Sequence, residues 1–300
     1  MSDWDGSMNL YSNKKLALIY LSPALIILTV FVFYPIILNF YNSAFNFSSF
    51  SIVKNYVGFE NYKKLFSDPV FYTALKNNFV YTIISLVVQV GGGLVLAAIL
   101  QEKFIKKFQP FFRTVLFLPS ILAFAIVGLL WQMLYQPDIG AVNNIIRFLG
   151  FSDFNHSWLG DSSTAIYAVI AVSQWHFLGY IMMLFLVSMQ SIPVSLYEAS
   201  YIDGANRFQT FINITVPQVK QMILVASIFT IVESFKVFDD VYIMTTGGPG
   251  NSSQVLGTML YKAGFRNDNM GYASTIAVII FVVTILISVI QMIITRSDSE

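Results

Sequence analysis

Four charged residues fall inside one apolar window of this chain. Glu233, Lys236, Asp239 and Asp240 lie within residues 221–244, in a sequence that is 56% hydrophobic and only 11% charged. On a helix, Glu233 to Lys236 is an i,i+3 pair and Lys236 to Asp240 an i,i+4 pair, so these three share a stripe of alternating sign. Phe235, Phe238 and Tyr242 form a second stripe on the same helix. At about 100° per residue the two stripes stand well over 90° apart, so a straight helix turns only one of them fully toward a narrow path. In one assignment the polar stripe lines the path and Glu233 accepts hydrogen bonds from a solute. In the other the aromatic stripe lines it and stacks on solute rings, while Glu233, Lys236 and Asp240 form a structural ion network. Glu233 lies about 16 Å along the helix from Met222, and Asp240 about 27 Å, near the outer surface. The midplane position favours the first assignment, because intramembrane charges face the interior or water.

Other polar groups sit at similar depth. Gln174, Trp175 and His176 fall about 15–18 Å into the window 164–190 and could meet the level of Glu233. A lone His or Gln on a packed helix also serves as an interhelical hydrogen bonder, and Gln89 reads the same way. None of this is catalytic chemistry. The chain has no cysteine and two histidines, His156 and His176, which leaves no thiol chemistry and no histidine-rich metal site. No Gly-x4-Gly-Lys-Ser/Thr run is present, so the chain carries no phosphate loop of its own. It reads as a protein that is not an enzyme and holds no cofactor or metal. A net charge of +1 gives no case for nucleic acid.

The elements that position these groups are membrane spans. A soluble domain carries about 25% charged residues, and a chain of this composition cannot cover itself with so few. Six windows, 16–40, 79–101, 112–135, 164–190, 221–244 and 272–295, each reach the roughly 20 apolar residues that cross a hydrocarbon core. The fold class is all-α: a polytopic protein with six transmembrane helices over residues 16–295, between short tails at 1–15 and 296–300. The first window exceeds the roughly 7–15 residues of a signal-peptide core and reads as a retained span.

Six crossings place both tails on one side. With the tails in the cytoplasm, Lys14, Lys15, Lys103, Lys106, Lys107, Arg113, Arg207, Lys220 and Arg296 are inside, against Lys54, Lys63, Lys64, Lys76, Arg147, Lys262 and Arg266 outside. The density of charge in 102–113 selects this orientation.

Residues 191–220 then form a cytoplasmic polar island. Pro193 ends the preceding span. Ser195 with Glu198 has capping-box spacing for a short helix through Asp203. Gly204 breaks it in a left-handed conformation, and a second piece over 205–213 leads to Pro217 in the first turn of the next span. Ala199 and Ser200 are small enough for a partner to approach closely. Helix–helix connections usually run about 2–8 residues, so a structured one of this length implies a docking role.

Glu198, Ala199, Gly204, Ile214 and Pro217 carry a resemblance. Their spacing is similar to the Glu-Ala-Ala motif of the membrane subunits of binding-protein-dependent ABC importers, with Ser200 and Val216 as small departures. Gly58-Phe59-Glu60-Asn61-Tyr62, Phe112-Arg113-Thr114-Val115, Ser234-Phe235-Lys236-Val237-Phe238-Asp239 and Thr246-Gly247-Gly248-Pro249 resemble the sugar-permease branch. The resemblance implies a MetI-like type I importer fold in a bacterial or archaeal cytoplasmic membrane. It implies three kinds of partner besides the bilayer: a second permease, two ATP-binding cassette subunits that bind the ATP, and an extracytoplasmic solute-binding protein. Glu198, Ala199, Ser200, Asp203, Gly204 and Ala205 would couple to the ATPase. Glu233, Lys236, Phe238 and Asp240, with Gln174, Trp175 and His176, would border the path of a sugar, a polyol or a glycerol phosphate. An ATP-independent secondary transporter or channel is the competing class; it would show inverted repeats with broken helices.

The loops carry smaller expectations. Residues 61–66 followed by Asp68-Pro69 read as a short interfacial helix with a stop. Tyr56, Tyr62 and Trp158 read as interface anchors. Thr246–Asn251 reads as a glycine-rich turn, and Gly91-Gly92-Gly93 as a point of close helix approach.

Overall fold

The computed structural model describes residues 14–102 and 104–297. The expected tails 1–15 and 296–300 fall almost wholly outside the described residues, as do Lys103 and the side chains of Lys14, Lys15 and Arg296.

Among the described residues, four helices are long and apolar enough to cross a membrane unbroken: α1 (Leu18–Ser43), α3 (Pro69–Gln101), α7 (Ala165–Gln190) and α13 (Met270–Ser297). Two further apolar stretches are bent pairs. α4 (Gln109–Ile121) meets α5 (Phe124–Leu134) at 98°, and α9 (Arg207–Gln218) meets α10 (Lys220–Lys236) at 72°. Counting each pair as one crossing gives six, the expected number, although α9 lies ahead of the expected fifth window at 221–244 and the third window is not a straight rod. Short helices fill the connections: α2 (Glu60–Phe66), α6 (Ala141–Phe148), α8 (Val194–Ile202), α11 (Asp239–Met244) and α12 (Leu256–Tyr261). The described β-structure is a two-residue antiparallel ladder, β1 (Phe45–Asn46) with β2 (Asn55–Tyr56).

Local chemistry explains several boundaries. α2 is the short helix expected before Asp68-Pro69, and that dipeptide starts a helix as well as ending one. The Asp68 carboxylate accepts from Val70 N at 2.9 Å and Pro69 occupies the first turn, so α3 begins ten residues ahead of the apolar window. Such a cap satisfies one of the four donors a helix start leaves free. Among the three glycines 91–93, Gly93 is where α3 and α7 close up: a Cβ there would stand 3.2 Å from Ile181 Cγ2 and from Met182 N.

α7 is the central post. Val169, Val172, Ile181, Met182, Phe185 and Leu186 along it are fully buried, and it packs on α3, α4 and α10. α1 is the outlier, buried along none of its apolar window. Its C-terminal end meets α13 through Phe40 and Phe281 (ring centroids 5.8 Å) and through Thr275 Oγ1, which donates to Ser43 O at 3.4 Å. The β1–β2 hairpin is tied to the start of α13: Met270 N donates to Phe47 O at 3.0 Å, and Ser49 N to Asp268 Oδ1 at 2.7 Å. At the opposite end, Arg207 at the start of α9 pairs with Glu102 just after α3 (3.6 Å).

Candidate functional site

The described part of the fifth window does not run as one helix. α10 ends at Lys236, Val237 and Phe238 leave the helical conformation, and α11 restarts at Asp239. Neither residue is a helix breaker by type. The break persists because the freed backbone groups find side-chain partners, without which non-helical backbone is not tolerated at membrane depth. Asn78 of α3, fully buried, donates from Nδ2 to Ser234 O at 2.8 Å and accepts Leu256 N on Oδ1 at 2.9 Å. Gln132 of α5 donates to Ile243 O (2.7 Å) and Met244 O (3.1 Å), closing the C-terminus of α11. α12 approaches so closely that a Cβ on Gly257 would stand 2.5 Å from Val237 O.

The third window is broken by the same device. Leu122 and Ala123 are extended between α4 and α5, and His176 donates from Nε2 to the freed Leu122 O at 3.1 Å. His176 is thus a backbone cap from α7, packed edge-on to Phe124. A carbonyl acceptor fixes the proton on Nε2.

Between α3, α7, α10 and α11 lies a cavity of about 200 Å³. Glu233, Lys236, Phe238 and Asp240 all line it, with Tyr81, Gln89, Ser173, Thr230 and Asp239. The break therefore removes the conflict between the two stripes, because residues after Val237 no longer follow the rotation of α10. Phe235 turns away, fully buried against Phe79. Phe238 stacks on Tyr242 (4.9 Å, 19°) and meets Tyr261 (5.2 Å).

The charges separate as well. Glu233 and Lys236 pair at 3.2 Å with more than half of each side chain exposed. Asp240 is not part of that pair: it is 6% exposed and accepts from the Tyr81 hydroxyl of α3. The three-residue ion network and the straight-helix depth of Asp240 are corrected accordingly. Gln174 stands behind the cavity wall, donating to Ser85 Oγ at 3.1 Å, the hydroxyl that Gln89 also approaches. Trp175 is exposed on another face against Trp131. Asn78, Gln132, Tyr81 and Thr230 were not singled out by sequence, although the Asn77-Asn78 pair at the head of an apolar window was a visible signal.

The polar island forms a helix–turn–helix. α8 starts after Pro193, with no side-chain cap, so the Ser195–Glu198 capping box is absent. The capping box belongs to α9, where Asn206 and Gln209 exchange bonds of 2.9 and 2.8 Å. Gly204 adopts φ +78°, the left-handed turn its position called for, with Ala205 N bonded back to Ser200 O at 2.9 Å. Glu198, Ala199 and Asp203 are exposed. Ser200 is not: it faces inward, bonding Tyr197 O (2.8 Å) and approaching Thr210 Oγ1 (3.4 Å), so it joins α8 to α9 and is not a docking surface. Tyr201, Ile202 and Phe208 are 84%, 83% and 73% exposed and were missed because single apolar residues in a polar island carry no pattern.

On the far side, the 246–251 segment is a turn with positive φ at Thr246, Gly247, Gly250 and Asn251. Lys262 donates to Gln254 Oε1 at 2.8 Å, and burial holds its ammonium below the usual lysine range. Tyr62 bonds Ser43 Oγ (2.8 Å), Trp158 donates to Asn143 Oδ1 (2.7 Å), and Tyr56 is exposed.

Broken spans around a lined cavity, with an exposed helix–turn–helix at one end of the bundle, define a polytopic membrane transport protein. Residues 89–297 match the family described as binding-protein-dependent transport system inner membrane component, and the chain belongs to it. It is 48% identical over 288 residues to the probable ABC transporter permease protein YurN of Bacillus subtilis (strain 168), covering 96% of this chain and 98% of that one. It is 31% identical to the arabinooligosaccharides transport system permease protein AraP of the same strain, over 94% and 89% of the two chains. The fold is shared with a chain of a bacterial alginate ABC transporter solved with an alginate pentasaccharide-bound periplasmic protein (TM-score 0.84, 23% identity, 97% and 98% covered). The chain is an inner-membrane permease subunit of an ABC importer and is not itself an enzyme.

Proposed function

We propose that this chain is one permease of an ATP-driven carbohydrate importer fed by an extracytoplasmic solute-binding protein. The observation that carries the reading is α10. It leaves the helix–turn–helix at the 72° bend and ends in the cavity, so one unbroken helix of 17 residues, about 25 Å, joins the two. Of two ATP-binding cassette subunits, which bind the ATP, one docks on the face of this chain carrying Glu198, Ala199, Tyr201, Ile202 and Phe208. When ATP closes them, the α8–α9 unit moves as a lever and α10 transmits the motion. The path between Glu233 and Phe238 then switches from inward-facing to outward-facing, together with the second permease. The basic density of 102–113, beside Arg207, supports cytoplasmic tails and a cytoplasmic α8–α9.

Carbohydrate cargo is supported by the relatives' names, which include arabinooligosaccharide and lactose permeases. It is also supported by the cavity's mixture of carboxylates, hydroxyls and aromatic rings. The test is reconstitution of the whole importer in proteoliposomes. Uptake of radiolabelled sugar should require ATP, the ATPase subunits and the solute-binding protein. Uptake driven by an ion gradient with the ATPase removed would overturn the reading in favour of a secondary transporter.

A further inference from the structure

The charges around the cavity do not balance. Three carboxylates line it, those of Glu233, Asp239 and Asp240, and Lys236 is the one basic residue among the lining residues. Lys236 is engaged by Glu233 at 3.2 Å. Asp240 is engaged by Tyr81. Asp239 is exposed, and among the described residues no cation stands within 4.0 Å of it. It sits next in sequence to Phe238, whose ring is held by Tyr242. A carboxylate beside aromatic faces is the surrounding an ammonium group favours.

A second observation is independent of charge. Thr230, on the same cavity and 2% exposed, has its Oγ1 buried without any hydrogen-bond partner. Buried hydroxyls are almost always satisfied, so one that is not awaits a ligand group.

We propose that the cargo is a carbohydrate bearing a protonated amine, its ammonium paired with Asp239 and one of its hydroxyls bonded to Thr230. The proposal rests on the carbohydrate-importer reading above and names the cargo of the same site. A neutral sugar leaves the Asp239 charge uncompensated as the cavity closes, and a sugar phosphate or uronate meets an excess of like charge.

The complete importer in proteoliposomes provides the test, with this chain, its second permease, the ATPase subunits and the solute-binding protein. The probes are radiolabelled glucosamine and its disaccharide, their N-acetylated forms, and glucuronate. ATP-dependent uptake of the amine forms should exceed that of the N-acetylated forms by about tenfold or more, since the two differ in one charge. Asp239→Asn should remove most of that preference. Thr230→Val should slow all amine forms without altering their advantage over the N-acetylated ones. Should Asp239→Asn fail to assemble, the wild-type preference and Thr230→Val carry the test. Equal or faster uptake of the N-acetylated or acidic forms, or no uptake of any amine form, overturns the proposal. Uptake of only neutral or acidic sugars would sink it and leave the importer reading standing. No ATP-dependent uptake of any carbohydrate would sink that reading itself.

Discussion

Glu233 and Asp240 stand seven residues apart, on what a straight helix would make one stripe, and the fold gives them opposite environments. Glu233 is an exposed partner in an ion pair on the cavity wall. Asp240 is buried and fastened to another helix through Tyr81. The break at Val237–Phe238 separates the two: it ends the register of α10 and lets α11 begin with its own orientation. One carboxylate stays on the cavity wall, paired with Lys236, while the other holds α3 to α11. A charge inside a span can therefore be a contact for solute or a fastening for the wall, and spacing alone does not say which.

Removing the break's support should have the largest effect on this contrast. Asn78→Leu orphans Ser234 O and Leu256 N, at about 1–3 kcal/mol for each buried group. A large fall in melting temperature of the detergent-solubilised importer is expected; an unchanged melting temperature would show that the break stands without Asn78. Next comes the fastening itself. Asp240→Ala should cost about 1–3 kcal/mol by leaving the Tyr81 hydroxyl buried and unpaired. Asp240→Asn, which keeps an acceptor, should recover part of that, and Tyr81→Phe with Asp240→Leu together should cost less than the sum of the two. Strict additivity in that cycle would dissolve the pair.

Glu233→Gln should sharpen the other side of the contrast. Uptake should fall about tenfold, an effect of about 1.4 kcal/mol, with a melting temperature near that of the wild type. Phe238→Ala should widen the range of sugars that compete for uptake. If Phe238→Ala changes that range and Glu233→Gln changes nothing, the rings alone border the path. Smallest of all is Lys236→Met on stability. An exposed pair contributes about 0–1 kcal/mol, so thermal unfolding should scarcely move, and a loss comparable to that of Asp240→Ala would erase the distinction between the two carboxylates.

Much of this was legible in the sequence, and the misses share one cause. Windows of apolar residues marked every crossing, and Gly204 marked the turn of the island, because those signals are local. The breaks were not legible in the same way. Leu122–Ala123 and Val237–Phe238 contain no proline or glycine, and the groups that stabilise them come from distant helices: His176 on α7, Asn78 on α3 and Gln132 on α5. His176 and Gln174 stood out as polar residues at depth, but type and depth do not reveal that one caps a carbonyl and the other stands behind the wall. The Ser195–Glu198 spacing suggests a capping box, yet α8 already starts after Pro193 without a side-chain cap, and Asn206 with Gln209 forms the box in the next helix.

The stitch between the β1–β2 hairpin and the head of α13 bears on how the chain is made. Its bonds join groups far apart in sequence, as between Ser49 and Asp268, 219 positions apart. α1 leaves the ribosome well ahead of α13, whose Phe281 is the ring partner of Phe40. Until α13 is made, these contacts of α1 stay open, and the arrival of α13 closes them. A chain cut short before residue 270 would lack the α13 groups that hold the end of α1.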